Sequence, residues 1–211
     1  MNSNWLERVK ANIFPVSQEK NNVKKALKEW IYRNNFYDVE IPDETCELCD
    51  HPNIRYQFEI YNTINGNILQ VGSECINKFD EIGVVDQKGN ILSVEAAKRK
   101  VNRDKNKLVT EAKVKSVIHS LINLSRVDND FNIEGFIKHY KENEAFTPNQ
   151  LFTLIWRLEK FNIKHNKAHF KVTIKKKKDK EQLLGLLDWK LKKIWGCLSN
   201  SQKEFYTKNK N

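Results

Sequence analysis

Cys46, Cys49 and Cys75 are the residues of this sequence whose type and spacing best suit metal binding. The first two form a C-x2-C pair, with which a tight turn can direct two thiolates at one ion. The third follows a Val-Gly-Ser sequence. Because zinc in structural sites takes four thiolate or imidazole ligands, the sequence predicts a zinc site with three cysteine ligands and one further ligand.

Several residues could supply the fourth zinc ligand. His51 is nearest in sequence and is the first choice, although its closeness to Cys49 would strain the turn. Cys197, another histidine, or a water or substrate molecule could also complete the tetrahedron. Two other interpretations stay open, namely a metal-free cluster of core cysteines and a catalytic or redox site.

A hairpin and a short helix are predicted to position the cysteines. Residues 55–63 alternate between apolar and polar side chains as a strand does, Asn65-Gly66 is a hairpin turn signal, and residues 67–71 provide the return strand. Ser73 is predicted to cap a short helix that carries Cys75 in its first turn. This order of knuckle, hairpin and helix is typical of a small treble-clef-like zinc module.

Helical patterns dominate the rest of the chain. Helical spacing of apolar residues predicts an amphipathic helix over 17–36, and a second hairpin is expected around residues 88–90. From Ser93 onward the pattern is helical, with capping boxes starting at Thr147, followed by Pro148, and at Ser199. Residues 169–180 are predicted as a strand or extended arm, and residues 179–195 as a helix.

These patterns predict an α+β protein of two parts. Residues 1–92 would hold an N-terminal helix and the zinc-knuckle, β-hairpin and helix module. Residues 93–211 would form a basic, mainly α-helical domain. A chain of 211 residues is long enough for one core plus such an appended module.

Positive charge is concentrated in two segments. The chain has a formal charge of +10 and a pI near 9.3. Lys164–Lys180 holds eight lysines against one aspartate, and Lys98–Lys115 holds eight basic residues against two acidic ones. Such localised charge favours contact with the phosphates of DNA or RNA, although lysines also form solvated faces. The predicted nucleic-acid-binding residues are Lys98, Arg99, Lys100, Arg103, Lys171, Lys175, Lys176, Lys177 and Lys178.

Enzyme motifs are missing from the sequence, and we expect a protein that is not an enzyme. A zinc deaminase needs an H-x-E motif before its cysteine pair, and no histidine precedes Cys46. The seven glycines form no phosphate-binding loop. Without an apolar run of signal-peptide or membrane-span length, a cytoplasmic location and no membrane partner are expected. In that compartment, close thiols more often hold a metal than a disulfide.

The stretch from Ala26 to Phe79, about a quarter of the chain, resembles a group of bacterial and phage proteins of unassigned function. The shared pattern is C-x-L-C, R-Y-x-F-E-I and V-G-S-x-C-I, which stands here as CELC, RYQFEI and VGSECI. The resemblance implies a zinc-type module and no particular reaction. A histidine often stands in that pattern where this sequence has Gln57, so a ligand of the family would be replaced here.

The sequence thus predicts a non-catalytic, zinc-stabilised nucleic-acid-binding protein of phage or mobile-element type. The alternative is a protein-interaction module that inhibits or recruits a host protein. In that alternative the acidic run from Asp38 to Asp50 would imitate a nucleic acid.

Overall fold

The computed structural model of the chain describes residues 3–210 and has an α+β architecture. The chain divides by its contacts into two compact units, Met1–Thr110 and Glu111–Asn211. The start of the longest helix, at Val94, lies close to the boundary predicted after residue 92, and the contact division falls further along that helix.

The first unit is built on a four-stranded sheet. Its elements are α1 (Ser3–Val16), α2 (Val23–Lys28), β1 (Trp30–Asp38), β2 (Tyr56–Asn62), β3 (Ile68–Val71), α3 (Ser73–Lys78), β4 (Gly83–Val84) and the first part of α4 (Val94–Val127). The strand order is β3-β2-β1-β4, in which β1 and β4 are parallel and the other pairs antiparallel.

The predicted β2–β3 hairpin is confirmed. Phe58 pairs with Val71 and Ile60 with Leu69, which places these four side chains in the core of the unit. Gly66 has a φ of 79°, a left-handed conformation that glycine adopts without a steric penalty. The turn signal and the alternating pattern therefore gave the correct pairing of the two strands.

The helix predicted over residues 17–36 is wrong over most of its length, because only Val23–Lys28 of that span is helical. Helix α2 ends at Lys28, and residues 30–38 form β1, which pairs with β2 from Trp30 opposite Asn62 to Asp38 opposite Tyr56. Trp30 and Tyr32 are fully buried on one face of this strand. Aromatic side chains at alternate positions suit a half-buried strand, and here pairing with β2 overrides the helical spacing.

Glu29 fixes the junction between α2 and β1. Its buried carboxylate accepts hydrogen bonds from the backbone N–H groups of Gln18 and Glu19, each at 2.7 Å, and from the Asn62 side chain at 2.8 Å. Burial by itself raises the pKa of Glu29, but these three donors outweigh it and hold the pKa below its ordinary value.

The second predicted hairpin is a tight turn closed by a single β-bridge between its two arms. Val85 pairs with Ile91, the N–H of Asp86 donates to the carbonyl of Asn90 at 2.9 Å, and Gly89 has a φ of 87°. The residues before this turn form β4, which runs parallel to β1. Pairing of β4 with β1 thus brings the turn to the β4 edge of the sheet, next to β1.

The second unit is mainly helical, as predicted. After the remainder of α4 it contains α5 (Ile133–Asn143), α6 (Pro148–Lys160), α7 (Lys177–Leu184), α8 (Asp188–Ile194), α9 (Asn200–Asn209) and short 3-10 turns at Lys167–His169 and Trp195–Cys197. Capping boxes at Thr147 with Gln150 and at Ser199 with Gln202 are confirmed.

The lysine run begins a helix instead of ending an extended arm. Lys176 is the N-cap of α7, and the buried carboxylate of Asp179 accepts a hydrogen bond from the Lys176 N–H at 3.3 Å. The helix predicted over residues 179–195 is interrupted after Leu184, with Gly185 as the C-cap of α7. Across the part of the chain that the structure describes, no helix is long and apolar enough to cross a membrane.

Candidate functional site

Cys46 and Cys49 lie on a tight turn between β1 and β2. The N–H groups of Cys49 and Asp50 donate to the carbonyl of Cys46, at 3.3 and 2.9 Å, and the N–H of Cys46 donates to the carbonyl of His51 at 2.9 Å. Asp50 takes a left-handed φ of 56° to complete this turn. The turn thereby directs both thiols to the same side, as the C-x2-C spacing predicts.

Cys75 lies in the first turn of α3. The N-cap of this helix is Gly72, and Ser73 is the first helical residue. No side chain makes a capping hydrogen bond at this end, so the prediction of Ser73 as the cap is wrong. The N–H of Cys75 donates to the carbonyl of Gly72 at 3.0 Å. The hairpin that precedes α3 brings this helix beside the cysteine turn.

The three thiols form one buried group. The sulfur of Cys75 lies 3.6 Å from that of Cys46 and 3.3 Å from that of Cys49, and all three sulfur atoms lie within 4.8 Å of one another. Each residue is at most 4% exposed, and none forms a disulfide. Three soft ligand atoms that converge in this way are compatible with a metal site.

The pKa values of Cys46 and Cys75 are shifted in opposite directions. The Cys75 thiol and the N–H groups of Gly72, Leu48 and Cys49 hydrogen-bond to the Cys46 sulfur and lower the pKa of Cys46 to about 5. For Cys75, the hydrogen bond to Cys46 and the burial of the thiol both raise the pKa. One thiolate therefore forms readily, whereas further negative charge at the same place needs a nearby cation.

Two of the sulfur–sulfur distances are close to those around a tetrahedral ion. With Zn–S bonds of about 2.3 Å, two sulfur ligands at tetrahedral angles are about 3.8 Å apart. The distances of 3.6 and 3.3 Å from Cys75 are slightly shorter, as expected for thiols in direct contact. Small outward shifts of Cys75 would bring these two distances to the tetrahedral value.

A cavity of about 420 Å³ opens beside the thiols. His51 is exposed and lines this cavity, but its ring nitrogens do not belong to the group of ligand atoms within 4.8 Å of one another. The role of His51 as the fourth ligand stays a prediction. The cavity is also lined by all three cysteines and by Trp5, Arg8, Arg55, Glu74, Lys78 and Lys105.

The other two positions considered for the fourth ligand lie elsewhere. Cys197 is part of the hydrophobic core of the second unit, and its burial raises the pKa of the thiol to about 12. Gln57 lies on β2 next to Phe58, and it is not among the residues that line the cavity. Because Tyr56 of the same strand lines the cavity, strand alternation turns position 57 to the other face of the sheet.

In the first basic segment, some cations form ion pairs with carboxylates and others do not. Lys98 forms an exposed ion pair with Asp80 at 2.9 Å, and Lys100 forms a buried ion pair with Asp104 at 2.6 Å. Within residues 3–210, by contrast, Arg99 and Arg103 have no carboxylate partner, and both side chains are exposed. Of the four residues predicted here to bind nucleic acid, the two arginines are thus the most available.

A cleft of about 1110 Å³ runs beside these arginines in the first unit. One wall is the α4 face that carries Arg99, Arg103 and Lys107, and the lining also includes Asn34 and Phe36 of β1. The spacing of four residues between the three cations is a sequence signal that could have identified this row. Phe36 could not be found in that way, because pairing of β1 with β4 brings it to the cleft.

The second basic segment lies in the second unit. Its predicted contact residues, Lys171 and Lys175 to Lys178, are all exposed. Lys177 has a loose, exposed ion pair with Glu181 at 3.9 Å, which is worth little in water. The segment therefore presents several cations to solvent at the start of α7.

The acidic run is partly used within the fold. Asp38 accepts two hydrogen bonds from Arg55, at 2.7 and 2.9 Å, Glu47 accepts one from the Gln70 N–H, and Asp50 accepts one from Asn12. Asp38, Glu47 and Asp50 are thus already engaged within the fold. A surface that imitates nucleic acid needs carboxylates available to a partner, so this contact pattern gives the alternative function no specific support.

Comparisons of the chain with protein-family models, with curated protein sequences and with solved structures gave no match.

Proposed function

We propose that this chain is a non-catalytic, zinc-stabilised nucleic-acid-binding protein. The observation that carries the proposal is the presence, in each of the two units, of exposed cations that no carboxylate neutralises within residues 3–210. In the first unit these are Arg99 and Arg103, and in the second they include Lys175 and Lys178. Phosphates are the usual partners of such surfaces, because binding releases their condensed counterions.

The thiol group supports the zinc part of the proposal. Cys46, Cys49 and Cys75 would hold the ion, and His51 is the first candidate for the fourth ligand because it lines the same cavity. When bound, zinc would supply a structural cross-link between the cysteine turn and α3. In this role the cysteines hold the ion, the ion stabilises the fold, and the site catalyses no reaction.

Binding to labelled oligonucleotides at several salt concentrations tests the proposal. We expect micromolar protein to bind DNA or RNA at low salt, with an affinity that falls steeply as salt rises. Replacing Lys171, Lys175, Lys176 and Lys178 together by Gln should weaken binding and reduce the salt dependence. Replacing the exposed Lys138, Lys141, Lys192 and Lys208 by Gln removes the same charge outside both basic segments and serves as the matched control.

Two results would count against this function. Absence of any binding to single- or double-stranded probes at low salt would reject it outright. An equal loss of affinity in the test and control variants would show that only net charge matters there, and that the second basic segment is not a binding surface.

A further inference from the structure

We infer that the cleft beside α4 in the first unit binds single-stranded nucleic acid, with phosphates on the Arg99, Arg103 and Lys107 row and a base against Phe36. This inference rests on the proposed function and assigns it a place and a substrate class. The cleft has a volume of about 1110 Å³, which is large enough for more than one nucleotide.

The cations of the cleft form a regular row. Arg99, Arg103 and Lys107 are each four residues apart on α4, so they follow one another at about 6 Å along the helix axis. Successive phosphates of an extended strand are separated by a similar distance. Lys88, on the turn that lines the same cleft, adds a further exposed cation.

The two carboxylates that line the cleft have other partners. Asp104 is buried, and it accepts hydrogen bonds from Lys100 at 2.6 Å and from the Tyr32 hydroxyl at 2.8 Å. Asp86 accepts from the N–H groups of Lys88 and Asn90, at 2.7 and 2.9 Å, within its own turn. Neither carboxylate forms an ion pair with the row, so the positive charge of the row is available to an anion.

An aromatic ring in the same cleft favours a single strand over a duplex. Phe36 is half-buried, stacks on Phe58 with ring centroids 6.0 Å apart, and lines the cleft next to Lys107, whose ammonium lies 5.8 Å from the Phe36 ring centroid. An unpaired base can stack on such a ring, whereas the bases of a duplex are already stacked on each other. Phosphate contacts alone would not distinguish the two.

Backbone geometry holds Phe36 at this position. The pairing of β1 with β2 is irregular between Tyr32 and Phe36, and Asn34 takes a left-handed φ of 72° in this bulge. The Asn34 side chain donates to the carbonyl of Asp86 at 3.3 Å and so ties the bulge to the turn. Strand bulges often re-aim side chains next to binding sites, and here the bulge precedes the aromatic residue.

The test compares three fluorescent 20-mers: oligo-dT, an abasic strand of equal length, and a duplex. Anisotropy titrations would use the full-length wild type, the R99Q/R103Q/K107Q variant, the F36L variant, and a K138Q/K141Q/K208Q control. We expect wild type to prefer oligo-dT over the duplex and the abasic strand. The row variant should lose at least about tenfold in affinity and reduce the salt slope by about 2.

The F36L variant tests base stacking separately from charge. Its affinity for oligo-dT should fall at least about fivefold, with little change for the abasic strand. Circular dichroism melts of each variant check that the fold is retained. Because Leu keeps an apolar contact with Phe58, a large loss of stability is not expected.

The outcomes separate this inference from the proposed function. Wild-type binding that survives in the row variant as well as in the control would overturn the cleft assignment, and the function would then rest on the second basic segment. Equal affinity for duplex and oligo-dT, or equal losses of F36L on oligo-dT and the abasic strand, would overturn the single-strand assignment. Wild-type protein that binds none of the probes at low salt would overturn both proposals.

Discussion

The sulfur atoms of Cys49 and Cys75 lie 3.3 Å apart although 26 residues separate them in sequence. The hairpin of β2 and β3 spans this separation and returns the chain to the cysteine turn. With Cys46 they form a buried group of three thiols without a disulfide. Such convergence of soft ligands brings the cysteine turn and α3 together.

Removal of metal should therefore destabilise the first unit. We expect a strong chelator to lower the unfolding temperature of the wild-type protein, because an ion bound only by the folded state stabilises it. The effect should be absent in Cys75→Ser, which lacks one of the three thiols. Thermal melts with and without chelator measure this, and identical curves for the wild type would contradict a structural metal.

The buried carboxylate of Glu29 should make stability depend on pH. Its pKa is held below the ordinary value, so its contribution is present at neutral pH and is lost as the pH falls through the folded-state pKa. Glu29→Gln should cost about 1–3 kcal/mol in the free energy of unfolding at pH 7 and reduce the loss of stability in acid.

Denaturant titrations between pH 7 and pH 3 test this role of Glu29, with Glu204→Gln as the control because Glu204 is exposed. A Glu29→Gln variant whose stability follows the wild-type pH curve throughout would show that this carboxylate does not fix the junction.

The buried ion pair of Lys100 and Asp104 should be far more sensitive than its exposed neighbour. Asp104→Ala leaves a buried ammonium and the Tyr32 hydroxyl without their partner, which should cost about 3–5 kcal/mol. Lys98→Ala removes an exposed pair and should cost about 1 kcal/mol or less. Urea unfolding of both variants measures the difference, and similar losses would contradict the burial of Asp104.

Local patterns in the sequence predicted much of the first unit. The C-x2-C turn, the Asn-Gly hairpin and the helix that carries Cys75 each depend on residues close together in the chain, and the structure places them as expected. The capping boxes at Thr147 and Ser199, in the second unit, were predictable for the same reason.

Features that depend on distant pairing were not predictable. Residues 30–38 have a spacing compatible with a helix, and only pairing with β2 and β4 makes them a strand. The cleft likewise combines β1, the turn near Gly89 and α4, which meet because β4 runs parallel to β1. No local signal in the sequence contains that information, so Phe36 was missed as a candidate binding residue.

The metal content of the purified protein tests the central claim most directly. Elemental analysis of protein prepared without chelator should find one zinc per chain in the wild type and in Cys197→Ser, whose sulfur lies in the core of the second unit. Cys75→Ser should contain little or none. Wild-type protein without stoichiometric metal, or Cys75→Ser with a full complement, would contradict the metal centre.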